Sequence, residues 1–132
     1  MSTVRVSTLL RFGLLIDAAI SGAVGALMLA ATGLLHNITA LPEPLLRYVG
    51  LLFIPYVLVV GWLGFREALP RGIVWTVIAC NVGWAIGSVW LLTSGSIAPS
   101  TFGVAFVIVQ AVAVVVFAEL QFMGLRRSAV AA

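Results

Sequence analysis

Five polar side chains interrupt otherwise apolar stretches of this sequence. At a rise of 1.5 Å per helical residue, Tyr56 and Asn81 lie roughly 14 and 12 Å from the nearer end of their stretches, level with Ser21. We therefore expect these three side chains to form one polar layer between helices. Asp17 lies one turn closer to the end of its stretch, and Trp84 shares a helix face with Asn81. Together the five residues form the candidate site for a ligand or an ion.

Asp17 is the most informative of these residues because a carboxylate inside an apolar helix costs about 2.5–3.5 kcal/mol on insertion scales unless it is compensated. One interpretation is structural: Arg11 or Arg66 neutralises the charge, or a neighbouring helix hydrogen-bonds to it. The other interpretation is functional, with Asp17 serving as a proton or cation site. We prefer the structural interpretation, since Asp17 lies near the end of its apolar stretch.

Small residues follow the same helix face as Asp17. Gly13, Asp17, Ser21 and Gly25 recur every four residues, which places them on one side of a helix. A stripe of small side chains lets a second helix approach closely. We therefore expect Asp17 to face protein rather than lipid, with Gly25 at a helix-helix contact.

Other helix-packing candidates come later in the chain. Gly83 and Gly87 form a GxxxG pattern, which is typical of helix dimerisation. Gln110 needs a hydrogen-bond partner, either within the bundle or in another copy of the chain. Glu119 lies half a turn away from the Gln110 face and seven residues before Arg126, so we expect an ion pair between them at the membrane surface.

Catalytic and metal-binding motifs are missing from the sequence. It contains one His, one Cys, no HExxH or CxxC pattern and no glycine-rich phosphate loop. We assign no catalytic residue and no metal ligand. No cofactor is expected, and bound lipid is the one small-molecule ligand we consider.

Composition identifies the class of protein to which these side chains belong. Of 132 residues, 63% are hydrophobic and 8% are charged, whereas soluble domains are about 45–50% apolar and about 25% charged. These values exclude a soluble globular domain, and disorder would need low hydrophobicity. The sequence therefore predicts an integral membrane protein.

Four apolar stretches define the helices that must position the polar residues. Each is close to the ~20 residues that cross a bilayer, and prolines or glycines separate them. Because the connections are short, consecutive helices should be antiparallel neighbours. We predict an all-α, single-domain four-helix bundle over residues 1–132, in up-down-up-down order, with helices at about 12–35, 45–65, 73–93 and 102–123.

Arginine placement predicts an orientation. The net charge is +3, but the arginines lie at the ends of the apolar stretches and form no patch for nucleic acid. Counted at alternate faces, six lie on one side and Arg47 alone lies on the other, which predicts that both termini are cytoplasmic. The six are Arg5, Arg11, Arg66, Arg71, Arg126 and Arg127.

The most distinctive features, in chain order, are Leu10-Arg11, Asp17, Ser21-Gly22, Leu41-Pro42, Leu45-Leu46-Arg47, Pro55-Tyr56, Asn81 with Trp84 and Ser88, and Gln110 through Glu119 to Gly124-Leu125-Arg126-Arg127. Over nearly the whole chain this pattern resembles uncharacterised small four-helix inner-membrane proteins of proteobacteria. The resemblance implies a multi-pass protein of the bacterial inner membrane and implies no activity. In size the chain is also similar to small multidrug exporters and fluoride channels, but the exporters carry a Glu in the first helix where this chain has Asp17.

Two functions fit these observations. The first, which we prefer, is a binding or accessory bundle in the lipid bilayer that self-associates or joins a larger membrane complex. The alternative is a small proton- or cation-coupled transporter or channel that uses Asp17 and the polar layer. An enzyme ranks third because the sequence has no nucleophile and general base at a spacing that indicates a catalytic pair.

Overall fold

The computed structural model describes residues 2–131. Within that range the fold is all-α, with five helices and two very short strands. The elements in chain order are β1 (Thr3–Arg5), α1 (Thr8–Ala30), α2 (Thr32–Thr39), α3 (Glu43–Gly64), β2 (Ala68–Pro70), α4 (Arg71–Thr93) and α5 (Thr101–Arg126).

The four long helices α1, α3, α4 and α5 are each 22 to 26 residues in length and apolar enough to cross a membrane. This confirms the prediction of four long apolar helices. Large apolar side chains such as Leu58 and Val109, each 68% exposed, cover the outside of the bundle. Such a surface is typical of a protein surrounded by lipid.

The first predicted helix is divided in two and begins earlier than expected. Ser7 caps α1 by accepting a hydrogen bond from the Leu10 amide at 3.1 Å, so the helix starts at Thr8 rather than at residue 12. It ends at Ala30, and the short helix α2 follows. The break lies at Ala31, beside Thr32. The Thr32 hydroxyl donates to the Met28 carbonyl at 2.5 Å and so competes with backbone N–H groups for that acceptor.

The two strands gather three parts of the chain at one end of the bundle. β1 pairs antiparallel with β2, with Val4 opposite Leu69, and Val4 also bridges to Val130. Neither strand was predicted, because each is only three residues long. This pairing brings both ends of the described chain and the α3–α4 connection together, so the six arginines share one end and Arg47 lies at the other.

Packing between the long helices is uneven. α1 is the central helix and packs against α3 and α5, while α5 also packs against α4. Glycines permit the closest approaches: a Cβ added at Gly64 would lie 2.5 Å from Leu15, and one at Gly124 would lie 2.4 Å from the Leu10 backbone. Along residues 2–131, α3 and α4 barely touch, which leaves a gap on that side of the bundle.

Candidate functional site

The Asp17 carboxylate is the centre of a buried hydrogen-bond cluster. Its Oδ2 accepts bonds from the Tyr56 hydroxyl at 2.8 Å, the Asn81 amide at 3.0 Å and the Gln121 amide at 2.8 Å. Its Oδ1 accepts a bond from the Ser21 hydroxyl at 3.1 Å. These residues, called the Asp17 cluster below, come from α1, α3, α4 and α5, so one carboxylate joins all four long helices.

Bonds within the Asp17 cluster also connect its outer members. The Asn81 Nδ2 donates to the Gln121 Oε1 at 3.0 Å, and the Tyr56 hydroxyl lies 3.3 Å from the Asn81 Oδ1. The Gln121 Nε2 donates in addition to the Gly13 carbonyl at 3.2 Å. Asp17 and Gln121 are completely buried. No buried side-chain nitrogen or oxygen lacks a partner between residues 2 and 131.

The cluster lies in the half of the bundle that carries the arginines. Counted from the helix ends at that side, Asp17 is about 14 Å along α1, Tyr56 about 12 Å along α3 and Asn81 about 15 Å along α4, at 1.5 Å per residue. Tyr56 and Asn81 therefore lie at similar levels, as expected, but Asp17 is the residue level with them, and Ser21 lies one turn further, about 20 Å along α1. The difference follows from the earlier start of α1.

Arginine does not contact Asp17 anywhere in the described chain. The Arg11 Nη1 donates to the Gly64 carbonyl at 2.6 Å, and the Arg66 guanidinium lies 4.9 Å from the Trp62 ring centre. Of the two structural explanations, neutralisation by Arg11 or Arg66 is wrong for this structure, and hydrogen bonding to neighbouring helices describes it. Both arginines lie near the bundle end, where their long side chains reach carbonyls and aromatic rings.

Gln121 is the cluster member that sequence reasoning missed. It lies two residues after Glu119, near the arginine-rich end of α5. It does fall on the buried stripe of that helix, four residues after Phe117 and four before Leu125. A polar residue on an apolar stripe with helical spacing is the signal that identifies it.

Trp84 belongs to a second polar group rather than to the Asp17 cluster. Its indole N–H donates to the Gln110 side-chain oxygen. The Ser88 hydroxyl donates to the Trp84 carbonyl at 2.8 Å and lies 3.5 Å from the Gln110 nitrogen. Gln110 thus finds its partner within the bundle, on α4.

The gap between α3 and α4 forms a groove of about 380 Å³, called the α3–α4 groove. α3 and α4 form its walls, while Met28 of α1 and Phe106 of α5 contribute to its floor. The lining is almost entirely apolar, with Ser88 and Gln110 among its few polar groups. The edge-to-face contact of Phe53 with Trp84, at a centroid distance of 5.3 Å, joins α3 and α4 beside the groove.

The three glycines predicted to support helix packing lie in different surroundings. Gly25 is buried against α3, where an added Cβ would lie 3.0 Å from the Phe53 Cβ. Gly83 and Gly87 are exposed and line the α3–α4 groove. An added Cβ at either would meet no atom within 4 Å, so the GxxxG pattern leaves an open surface on α4.

The expected ion pair between Glu119 and Arg126 does not form. The Arg126 guanidinium lies 5.7 Å from the Phe122 ring centre, four residues back on the helix. Seven residues separate Glu119 from Arg126, which is about 10 Å along the axis and beyond the ordinary i,i+4 reach. Across residues 2–131 the one ion pair joins Arg47 to Glu43 at 3.5 Å.

The side chains that most often bind metal ions are not clustered in the described residues. No group of three His, Cys, Asp or Glu side chains lies close enough there to hold a metal ion. The His36 Nδ1 lies 2.7 Å from the Leu41 carbonyl oxygen near the end of α2. Cys80 is a free, exposed thiol on α4.

Comparisons with known proteins give no relative. No protein-family model matches the chain, and neither a curated protein nor a solved structure has detectable similarity to it. Function must therefore be inferred from the geometry of the bundle itself.

Proposed function

We propose that this chain is a multi-pass protein of the bacterial inner membrane with both termini in the cytoplasm. The distribution of charge supports this orientation. Six arginines lie at the end of the bundle where β1 pairs with β2, and the positive-inside rule places such an end in the cytoplasm. At the opposite end, Glu43 pairs with Arg47 and reduces even its single positive charge. The resemblance to proteobacterial inner-membrane proteins supports the same location.

Within that membrane, we propose that the chain acts as a binding or accessory bundle rather than as an enzyme. The α3–α4 groove is the observation that carries this proposal. The groove opens to the surrounding lipid on the side where α3 and α4 separate. The Asp17 cluster joins all four long helices in the half of the bundle that carries the arginines. A fixed scaffold with a lateral apolar groove suits retention of an apolar molecule from the bilayer.

A lipid chain fits this groove better than a partner helix. The volume of about 380 Å³ lies in the range of small-molecule sites, about 300–1,000 Å³, whereas a transmembrane helix is about 10 Å wide along its whole length. Tyr48 and Trp90, both exposed, line the groove on α3 and α4. Such rings favour the region of lipid headgroups.

Filling the groove tests the proposal. Because a Cβ added at Gly83 or Gly87 would meet no atom within 4 Å, the double substitution Gly83→Leu and Gly87→Leu adds bulk to the groove from positions with open space beside them. We expect wild-type protein to retain lipid after detergent exchange, measured by native mass spectrometry, and the double variant to lose at least about tenfold in lipid affinity.

The control is Ala23→Leu, which introduces the same side chain at an exposed position on α1 away from the groove. It should retain lipid as the wild type does. Equal retention by the wild type, the control and the double variant would contradict lipid binding in the groove. Loss of a dimer instead of a lipid from the double variant would show that the groove holds a second copy of the chain.

A further inference from the structure

The Asp17 cluster places one ionisable carboxylate among neutral groups, and no arginine side chain of the described residues contacts it. The carboxylate is completely buried, and its four hydrogen-bond donors are hydroxyl and amide groups, all neutral. Arg11 and Arg66 are engaged with Gly64 and Trp62. A buried carboxylate is ordinarily paired with a cation, bound to a metal ion or protonated.

Oxygen atoms surround this carboxylate on several sides. Ser21 and Tyr56 contribute hydroxyl oxygens, while Asn81 and Gln121 each carry an amide oxygen next to the nitrogen that now faces Asp17. A half-turn of either amide would present its oxygen instead, since an amide has a donor and an acceptor on one rotor. The Gly13 carbonyl adds a further oxygen at the edge of the cluster.

We propose that the Asp17 cluster binds one monovalent positive charge from solution, as Na⁺ or as a proton. Oxygen is the ligand that hard cations prefer, and a proton on Asp17 needs the acceptor that a turned amide supplies. One carboxylate balances one positive charge, which favours a monovalent over a divalent ion. Acidic residues within membrane helices are often proton or ion sites.

Asp17 is the one carboxylate in the cluster, and the groups facing it carry no opposite charge. From α3 the facing titratable group is Tyr56, and α4 and α5 present the neutral amides of Asn81 and Gln121. Cys80 is adjacent to Asn81 on α4 but is exposed. Because these contacts reach all four long helices, a bound cation would stabilise the bundle as a whole.

Melting of the purified protein in detergent provides the test. With choline chloride replaced stepwise by NaCl at constant ionic strength and pH 8, the Tm of the wild type should rise saturably by about 3 °C or more. Asp17→Asn should remove the rise. Glu119→Gln, which removes an exposed carboxylate from α5, is the matched control and should keep it.

A second arm distinguishes Na⁺ from a proton. If the ligand is a proton, the wild-type Tm should change between pH 5 and pH 9 in choline chloride, NaCl should have no effect, and Asp17→Asn should abolish the change. If Na⁺ binds, its apparent affinity should weaken as the pH falls, because protons compete for the same carboxylate. Identical responses of wild type and Asp17→Asn to both Na⁺ and pH would overturn the proposal.

Ser21→Ala keeps the test decisive if Asp17→Asn does not fold. It removes one oxygen and one donor to Asp17. If Na⁺ binds, we expect its apparent affinity to fall by about tenfold or more; if a proton binds, we expect its affinity to rise, because the lost hydrogen bond stabilises the ionised carboxylate. An unchanged affinity would overturn the proposal. The lipid-groove double variant of Gly83 and Gly87 should respond to Na⁺ and pH as the wild type does, so failure of one proposal leaves the other standing.

Discussion

The Asp17 carboxylate joins the four long helices by hydrogen bonds in the half of the bundle that carries the arginines. Each donor reaches it from a different direction, and the two amides also bond to each other. Single interhelical polar contacts in membranes average about 0.6 kcal/mol, while hydrogen bonds to charged groups are worth about 1.5–3 kcal/mol in soluble proteins. The Asp17 cluster should fall between these limits for each donor removed.

Replacing Tyr56 with Phe removes one of these donors and little else. We expect Tyr56→Phe to lower the free energy of unfolding by about 1 kcal/mol, and by no more than about 2 kcal/mol. Tyr48→Phe is the control, because Tyr48 is 65% exposed and should lose less than about 0.5 kcal/mol. Equal losses in SDS titration would mean that the bond to Asp17 contributes nothing measurable.

Double-mutant cycles can separate the hydrogen-bonded from the arginine-paired interpretation of Asp17. We expect Asp17→Asn to show a coupling within ~0.5 kcal/mol of zero with Arg11→Gln and with Arg66→Gln, since neither arginine contacts it. With Tyr56→Phe, by contrast, the coupling should exceed ~0.5 kcal/mol. A strong coupling with either arginine would restore the ion-pair interpretation.

Sequence reasoning identified Ser21, Tyr56 and Asn81 because helix depth alone places them at similar levels, and Asp17 because a carboxylate within an apolar helix is costly. It missed Gln121, and it could not decide between an arginine and a neighbouring helix as the partner of Asp17. Depth is a one-dimensional quantity, so it cannot tell which of several polar residues at one level point toward the same axis. Rotation of α5 about its own axis, set by packing of Gly124 against Leu10, brings in Gln121.

At the scale of elements, glycines determine how closely the helices approach. Gly64 and Gly124 allow α3 and α5 to lie against α1, whereas Gly83 and Gly87 face open space. The same residue type therefore has opposite meanings at these positions. At the first pair a side chain would collide with another helix, and at the second pair it would only add bulk to the groove.

A matched pair of alanine substitutions checks this contrast. Gly124→Ala should destabilise the bundle by about 2 kcal/mol or more, because the new Cβ would lie 2.4 Å from the Leu10 amide nitrogen, a backbone atom that cannot move aside alone. Gly83→Ala should be neutral or up to about 1 kcal/mol stabilising, since Ala has the higher helix propensity. Equal effects in an unfolding titration would contradict the close packing of α1 against α5.

The elements were predictable to different degrees. Four long helices follow directly from hydropathy and the position of prolines, and the structure has them. The break at Ala31 was not predicted, because the apolar character continues through it and only the Thr32 hydroxyl interrupts the backbone. β1 and β2 have three residues each, too few for a period-two pattern to be visible.

In the whole molecule, the paired strands β1 and β2 and the six arginines lie at the same end of the bundle. β1, β2 and Val130 tie both ends of the described chain to the α3–α4 connection. The same end carries the six arginines. So strong an asymmetry supports the proposed single orientation in the membrane.

Reporter fusions test that orientation. Fusions at Ala132 and within the 66–71 connection should report the cytoplasm, whereas a fusion in the 94–100 connection should report the periplasm. A periplasmic C-terminus would contradict the proposed topology. For the same reason, we expect no dimers with inverted protomers, and cross-linking of two such protomers in one membrane would be evidence against a single orientation.

The central claim is that the α3–α4 groove holds a lipid chain, and photo-cross-linking in the native membrane measures this most directly. Cells grown with a photoactivatable fatty acid would be irradiated, and the labelled residues identified by mass spectrometry. The groove predicts preferential labelling of Leu52, Gly87 and Leu91, which line it, over the equally apolar outer residues Leu58 and Val59. Even labelling of groove and outer surface would contradict the claim.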